Sequence, residues 1–401
     1  MSMFCYQCQE SSGNIGCSVS GVCGKNSEIA SLQDDLVLQV KNFCAAHPSE
    51  SARYGSLVSR SLFMTITNAN FSAPQLRAQI ARVITAGGLS GDHSGSGVLA
   101  CADVDLRSLR ELLTYGIKGI AAYISHAAVL GYEDAAVYAF MFRALGALTT
   151  ELSQEQLLAL VLECGEYAVK AMALLDQANT STFGQPEYGK AKTGVGQRPG
   201  ILVSGHDLLD LQELLEQSAG QGIDVYTHGE MLPAHFYPAF KKYSHLYGNY
   251  GNAWHKQGTE FAAFNGPILL TTNCLTPVRE SYQGRLFTTG ETGYPDIPHI
   301  ADRPQGGHKD FSAIIALAKS CPPPTALEDG EISGGFAHHQ VLALADKVIA
   351  AVKSGAIKRF IVMAGCDGRQ PSRDYFREVA ESLPKDTIIL TAGCAKYRYN
   401  K

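Results

Sequence analysis

The run Arg359-Phe-Ile-Val-Met-Ala-Gly-Cys-Asp-Gly368 decides the architecture. Four apolar residues in succession, Phe360 to Met363, predict a strand buried on both faces, as in a parallel sheet. The strand leads through Ala364 and Gly365 into Cys366. In an open parallel sheet the residue just past a strand's carboxyl end faces the ligand crevice. Cys366 is therefore aimed where chemistry takes place. The pattern recurs in Thr387-Ile-Ile-Leu-Thr-Ala-Gly-Cys394. Two such cysteines point to a shared metal or redox centre. The competing reading is a pair of ordinary buried thiols, because free cysteine is among the most buried residue types.

Upstream, Ile201-Leu-Val-Ser204 reads as a strand, followed by Gly205-His206-Asp207 and an amphipathic helix over 208–218. Ile223-Asp-Val-Tyr226 is the next strand and leads to His228-Gly229-Glu230. The unit is βαβ, which predicts a parallel sheet. Pro267 to Thr272 forms another strand, ending at Asn273-Cys274. Helices over 340–354 and 374–382 precede the strands that end at Cys366 and Cys394. His206, Glu230, Cys274, Cys366 and Cys394 thus each follow a predicted strand and face one crevice. Imidazole, carboxylate and thiolate together suit borderline-soft transition metals, not Mg²⁺ or Ca²⁺. The mixture is unusual for structural zinc and fits an iron site of both sulfur and oxygen character. Taken singly, His206 could cap the following helix and Glu230 could be a loop carboxylate.

The chain opens with Phe4-Cys5-Tyr-Gln-Cys8, then Cys17, then Cys23-Gly24-Lys25. Four thiolates this close can wrap one tetrahedral ion or one cubane. Only the first pair is tight, whereas zinc knuckles usually come as two tight pairs. Gly13, Gly16, Gly21 and Gly24 are expected to let amides approach sulfur, which suits an iron–sulfur cluster. From spacing alone, cluster, zinc and unliganded thiols all stay open. Residues 27–180 carry helical periodicity throughout. Segments are predicted near 28–46, 54–68, 74–87, 103–116, 119–130, 133–148 and 153–178, with Ser27 as a cap and a Ser153/Gln156 capping box. His93 and His126 read as ordinary polar residues, and Cys44, Cys101, Cys164 and Cys321 as core filler. The segment 180–199 reads as a loop.

The 401 residues are 45% hydrophobic and 18% charged, with a net charge of −5. That composition predicts a multidomain globular chain without the basic footprint of a nucleic-acid or anionic-membrane binder. No apolar run reaches the ~20 residues that span a bilayer. The N-terminus lacks a basic and apolar leader, so a cytoplasmic location is expected. Eleven cysteines without a leader argue against a disulfide framework. The glycine run Gly194-Val-Gly-Gln-Arg-Pro-Gly200 precedes a strand where a dinucleotide fingerprint follows one, and carries no weight.

In order along the chain, Cys5–Cys8–Cys17–Cys23-Gly-Lys, Gly205-His206-Asp-Leu, His228-Gly-Glu230-Met-Leu-Pro, Thr-Asn-Cys274, Gly365-Cys366-Asp-Gly and Ala-Gly-Cys394-Ala-Lys-Tyr-Arg resemble the hybrid cluster protein (hydroxylamine reductase) family. The resemblance runs nearly the length of the chain. It implies a [4Fe–4S] cluster on Cys5, Cys8, Cys17 and Cys23. It also implies a hybrid [4Fe–2O–2S] cluster on His206, Glu230, Cys274, Cys366 and Cys394, with Cys366 at the persulfide position. The family's two further ligands, a cysteine and a glutamate, lie beyond the strand ending at Cys394. The chain ends at Lys401, so C-terminal truncation is expected.

The expected fold is multidomain α + α/β: an N-terminal helical bundle followed by two Rossmann-like parallel-sheet domains, the last incomplete. The expected divisions are a cluster loop over 1–26 and a bundle over 27–185. An α/β domain over 186–330 carries His206, Glu230 and Cys274, and a partial one over 331–401 carries Cys366 and Cys394. The expected function is reduction of hydroxylamine or nitric oxide by a monomer, with His206, Glu230 and Cys366 at the reacting centre. Electrons are expected to enter at the N-terminal cluster from a donor protein, a ferredoxin or an NADH-dependent reductase. The alternative is a non-enzymatic electron carrier or a sensor of nitrosative stress.

Overall fold

The computed structural model describes residues 3–401. It divides into two compact units. One runs to Asn179 and includes Glu291–Asp296, and the other joins Thr180–Gly290 with Ile297–Lys401.

The first unit is helical: α1 (Ser27–Ala46), α2 (Ser51–Met64), α3 (Ala73–Gly87), α4 (Val104–Val129), α5 (Ala135–Ala147) and most of α6 (Gln154–Phe183). The apolar stripe of α1 places Leu36, Val40 and Phe43 in a core with Leu62, Leu113, Ile117 and Phe140. The cap of α1 is Asn26, one residue before the expected Ser27; its side chain accepts from the Ile29 amide at 2.9 Å. The capping box of α6 forms as expected: Ser153 N–H donates to Gln156 Oε1 at 2.9 Å, and Gln156 N–H to Ser153 Oγ at 3.3 Å. The segments expected as two helices, near 103–116 and 119–130, are the single helix α4. Gly116 does not break it, because its bare face is pressed against α6: a Cβ there would lie 2.7 Å from Cys164 Sγ. Glu291–Asp296 belongs to this unit through Arg60, 2.7 Å from Glu291, and the Phe71 amide, 2.7 Å from Gly293 O.

The second unit contains β1 (Gly189–Lys192), β2 (Gly200–Ser204), α7 (Leu208–Ser218), β3 (Asp224–His228), β4 (Leu246–Asn249), α8 (Gln257–Ala263), β5 (Ile268–Leu270), α9 (Glu280–Gln283), β6 (Leu286–Thr289) and β7 (His299–Ile300). It continues with α10 (Ser312–Lys319), β8 (Glu331–Gly334), α11 (His338–Ala343), α12 (Ala345–Lys353), β9 (Arg359–Val362), α13 (Tyr375–Ser382) and β10 (Thr387–Leu390). Six strands form a parallel sheet in the order β4-β3-β2-β5-β6-β7. The order reverses between β2 and β5, which makes that gap the topological switch point of a Rossmann-like sheet. All residues of β2, β3, β5 and β6 are buried. The segment expected as a loop over 180–199 holds the end of α6 and strand β1, which pairs antiparallel with β8. The strand was illegible because Gly-Lys-Ala-Lys has one apolar position, Ala191, for a side chain to bury.

A separate two-stranded parallel sheet pairs β9 with β10. Here the expectation of burial on both faces fails: Phe360 is 46% and Val362 is 74% exposed. An apolar run marks a strand suited to covering layers, but each strand here has one neighbour, and among the described residues no layer covers these side chains. Among the described residues no helix is long and apolar enough to cross a membrane.

Candidate functional site

The four N-terminal cysteines are gathered by the main chain. Cys5 and Cys17 exchange hydrogen bonds, Cys5 N–H to Cys17 O at 3.1 Å and Cys17 N–H to Cys5 O at 2.8 Å. Cys8 feels the charge of Cys23, Cys5 and Cys17, and Cys23 that of Cys5 and Cys17, so the four sulfurs form one electrostatic group. Burial pushes the Cys8 thiol up to about 11 despite the Glu10 amide that favours its thiolate. Burial raises Cys23 as well, against the Lys25 amide and ammonium. Ser12 N–H donates to Cys17 Sγ at 3.5 Å, and the buried Lys25 ammonium lies 3.9 Å from Cys5 Sγ. The sulfur-facing amides thus belong to Glu10, Ser12 and Lys25 rather than to the glycines. Gly21 instead supplies room: a Cβ there would sit 3.0 Å from Cys23 Sγ. A cavity of about 830 Å³ opens beside Cys5 and Lys25, lined also by Asp34, Glu111 and Lys118.

The second group lies in the α/β unit. Glycine is required at position 205 just past β2: its φ is +126°, and a Cβ would lie 2.3 Å from Thr271 Oγ1. This turn presents His206, whose Nδ1 lies 2.8 Å from Thr272 Oγ1 at the end of β5. Asp207, not His206, caps α7, accepting from the Asp210 amide at 2.9 Å. Cys274 follows two residues after Thr272. Burial raises its thiol to about 12, and the charges of Cys366 and Glu230 add to this. Cys394 is buried and its thiol is raised by burial first and then by Glu230, with Cys274 contributing. The structure therefore brings Cys274, Cys366, Cys394 and Glu230 within electrostatic reach of one another. His206 is tied to them through Thr272. Cys366 and His206 are exposed, Glu230 and Cys274 partly so.

Several residues that organise this group had no role assigned from sequence. Three of them lie in the turn Cys394–Arg398. Lys396 pairs with Glu230. The Tyr397 hydroxyl donates to Gly229 O at 2.8 Å. Arg398 donates to Asp367 Oδ1 at 2.6 Å and to Gly368 O at 2.8 Å, beside Cys366. Trp254 Nε1 donates to Asp367 O at 2.8 Å. The β1–β8 ribbon serves this turn too, since Ala191 and Ile332 pack with Cys394 and Tyr397. The one signal in the sequence was the basic–aromatic–basic run Lys396-Tyr397-Arg398, two residues after Cys394. His93 and His126 sit apart in the helical unit, His93 on Asp35 at 2.6 Å and His126 against the Phe63 ring.

Among the described residues no three His, Cys, Asp or Glu side chains converge on a point that could hold one metal ion, and no disulfide forms. A polynuclear cluster makes a different demand, because each of its irons takes its own ligand. The donor chemistry fits that demand in both places. The first group offers four sulfurs with amide and ammonium donors to offset cluster charge. The second offers sulfur, nitrogen and oxygen donors at the carboxyl ends of strands, with thiols whose ionisation a bound cation would favour.

The model of the prismane/CO dehydrogenase family matches residues 3–401. The chain is 58% identical to a hydroxylamine reductase of Chlorobaculum tepidum, covering all of this chain and 79% of that protein. It is 56% identical to a hydroxylamine reductase of Parabacteroides distasonis and 53% identical to one of Nitratidesulfovibrio vulgaris, covering all of this chain and 80% of each. A solved structure described as NiZn[Fe4S4] and NiNi[Fe4S4] clusters in alpha subunits of acetyl-CoA synthase/carbon monoxide dehydrogenase matches with a TM-score of 0.50 at 12% identity. That match covers 99% of this chain and 64% of the other. At that identity the likeness is one of fold.

Proposed function

The chain belongs to the prismane/CO dehydrogenase family, and from that premise we propose that it is an iron–sulfur oxidoreductase reducing a small N–O species, hydroxylamine or nitric oxide. The relatives named hydroxylamine reductase support the substrate class. The observation that carries the reading is the mixed donor group: His206 and Cys274 flank the switch point, with Glu230, Cys366 and Cys394 beside them.

Cys5, Cys8, Cys17 and Cys23 would hold a [4Fe–4S] cluster for electron entry from a donor protein. His206, Glu230, Cys274, Cys366 and Cys394 would hold the hybrid [4Fe–2O–2S] cluster. When bound, the clusters supply electrons and an iron centre for the N–O group. For hydroxylamine the balance is NH2OH + 2 e⁻ + 2 H⁺ → NH3 + H2O. Thr272 holds the His206 ring at Nδ1, as supporting partners of metal-ligating histidines do. His206 and Glu230 would be the ligands that release a bound iron more readily than the thiolates. The exposure of His206 and Cys366 gives a small substrate access to this side.

Anaerobic purification followed by iron counting and EPR tests the proposal. About eight irons per chain, with an oxygen-bridged cluster signal, is the expected result. About four irons, confined to the N-terminal cysteines, would favour an electron carrier or sensor instead. Turnover unchanged in His206→Ala would also sink the enzymatic reading.

A further inference from the structure

Lys396 is 8% exposed, yet its ammonium makes an ion pair with Glu230 and donates to Gly393 O at 3.1 Å. A buried ammonium is costly unless it is paired. Its surroundings make the pairing specific. Glu230 and Lys396 both act on Cys394, the first against its thiolate and the second in favour of it. Cys274 faces Glu230 and Cys366. Lys396 thus puts one positive charge among several anionic donors.

The turn that carries Lys396 is clamped at both sides. Tyr397 holds the main chain at Gly229, the residue before Glu230. Arg398 holds Asp367 and Gly368, the residues after Cys366. The ammonium therefore sits on a fixed strut whose ends are two ligand-bearing loops.

Resting on the function proposed above, we infer that Lys396 is a positioning residue: it holds Glu230 by Oε1, leaves Oε2 for iron, and sets the charge of the second centre. Two consequences follow from physics. A nearby fixed cation favours the reduced, more negative state of a cluster, so Lys396 raises the reduction potential of the second centre. A carboxylate anchored at one oxygen ligates through the other, so Lys396 limits Glu230 to single-oxygen ligation.

The test compares the wild-type chain with Lys396→Met and Lys396→Arg by iron content, EPR and redox titration. The expected result is a lower midpoint potential and an altered EPR signal of the second centre in Lys396→Met. The N-terminal signal stays unchanged, and Lys396→Arg restores the potential. If Lys396→Met loses the second cluster, restoration of iron content by Lys396→Arg supports the role, and failure to restore it overturns it. An unchanged potential and EPR signal in Lys396→Met overturn the inference while leaving the proposed function intact. A wild type with about four irons overturns that function and this role with it.

Discussion

Nδ1 of His206 lies 2.8 Å from Oγ1 of Thr272, a hydrogen bond that spans the switch point between β2 and β5. It holds the imidazole at Nδ1, as supporting partners of metal-ligating histidines do. Loss of such a supporting contact typically costs 10–100-fold in metal affinity or activity. Thr272→Val is expected to lower iron retention in the second centre by about that factor, and Thr272→Ser to retain it. Iron release to a chelator, followed by absorbance, measures both.

Cys17 binds its neighbours through the main chain as well as through sulfur, so Cys17→Ala keeps its hydrogen bonds to Cys5 and removes one donor. Iron content is expected to fall from about eight to about four per chain, with the second centre's EPR signal preserved. Removing iron with a chelator should also be coupled to proton uptake, because burial raises Cys8 to about 11. Proton uptake in unbuffered solution measures this.

The Lys25 ammonium, 3.9 Å from Cys5 Sγ, favours the reduced and more negative state of a cluster held there. Lys25→Met is expected to lower the midpoint potential of the N-terminal centre, and Lys25→Arg to restore most of it. A spectroelectrochemical titration decides, and equal potentials in all three proteins would refute it.

Gly205→Ala forces a side chain into a left-handed φ of +126° and to within 2.3 Å of Thr271 Oγ1. Backbone strain of about 1–3 kcal/mol adds to overpacking of similar size. The expected outcome is a loss of about 2–6 kcal/mol in urea denaturation of the α/β unit, with loss of iron from the second centre.

Burial lowers His235 to about 4, while the unfolded side chain titrates near 6.5. Between these values the unfolded chain binds a proton that the native one does not. Stability is therefore expected to fall as pH drops from about 6.5 towards 4. His235→Gln should lose less stability than the wild type between pH 7 and 5, measured by denaturant midpoints. Equal losses would contradict it.

The helical and α/β regions were legible because each rests on local pattern. Leu36, Val40 and Phe43 fall on one face of α1, and β2 and β5 read as apolar runs ended by Gly or Asn. The strand ends then pointed to His206, Glu230, Cys274, Cys366 and Cys394 without reference to distance. The boundary expected between the segments near 103–116 and 119–130 is absent, and Gly116 lies inside α4 packed against Cys164.

By itself the sequence determined the helical run over 27–180, the strands β2, β3, β5, β9 and β10, and which side chains follow their carboxyl ends, because periodicity and turn chemistry are local. Tertiary structure alone decided the rest. The reversal of strand order put His206 beside Thr272, since which strands become neighbours depends on pairing across 66 residues. The clamp of Lys396, Tyr397 and Arg398 joins residues up to 168 positions apart. The exposure of Phe360 and Val362 was hidden from sequence for the same reason: an apolar strand shows what it can bury, and only its neighbours determine what it does bury.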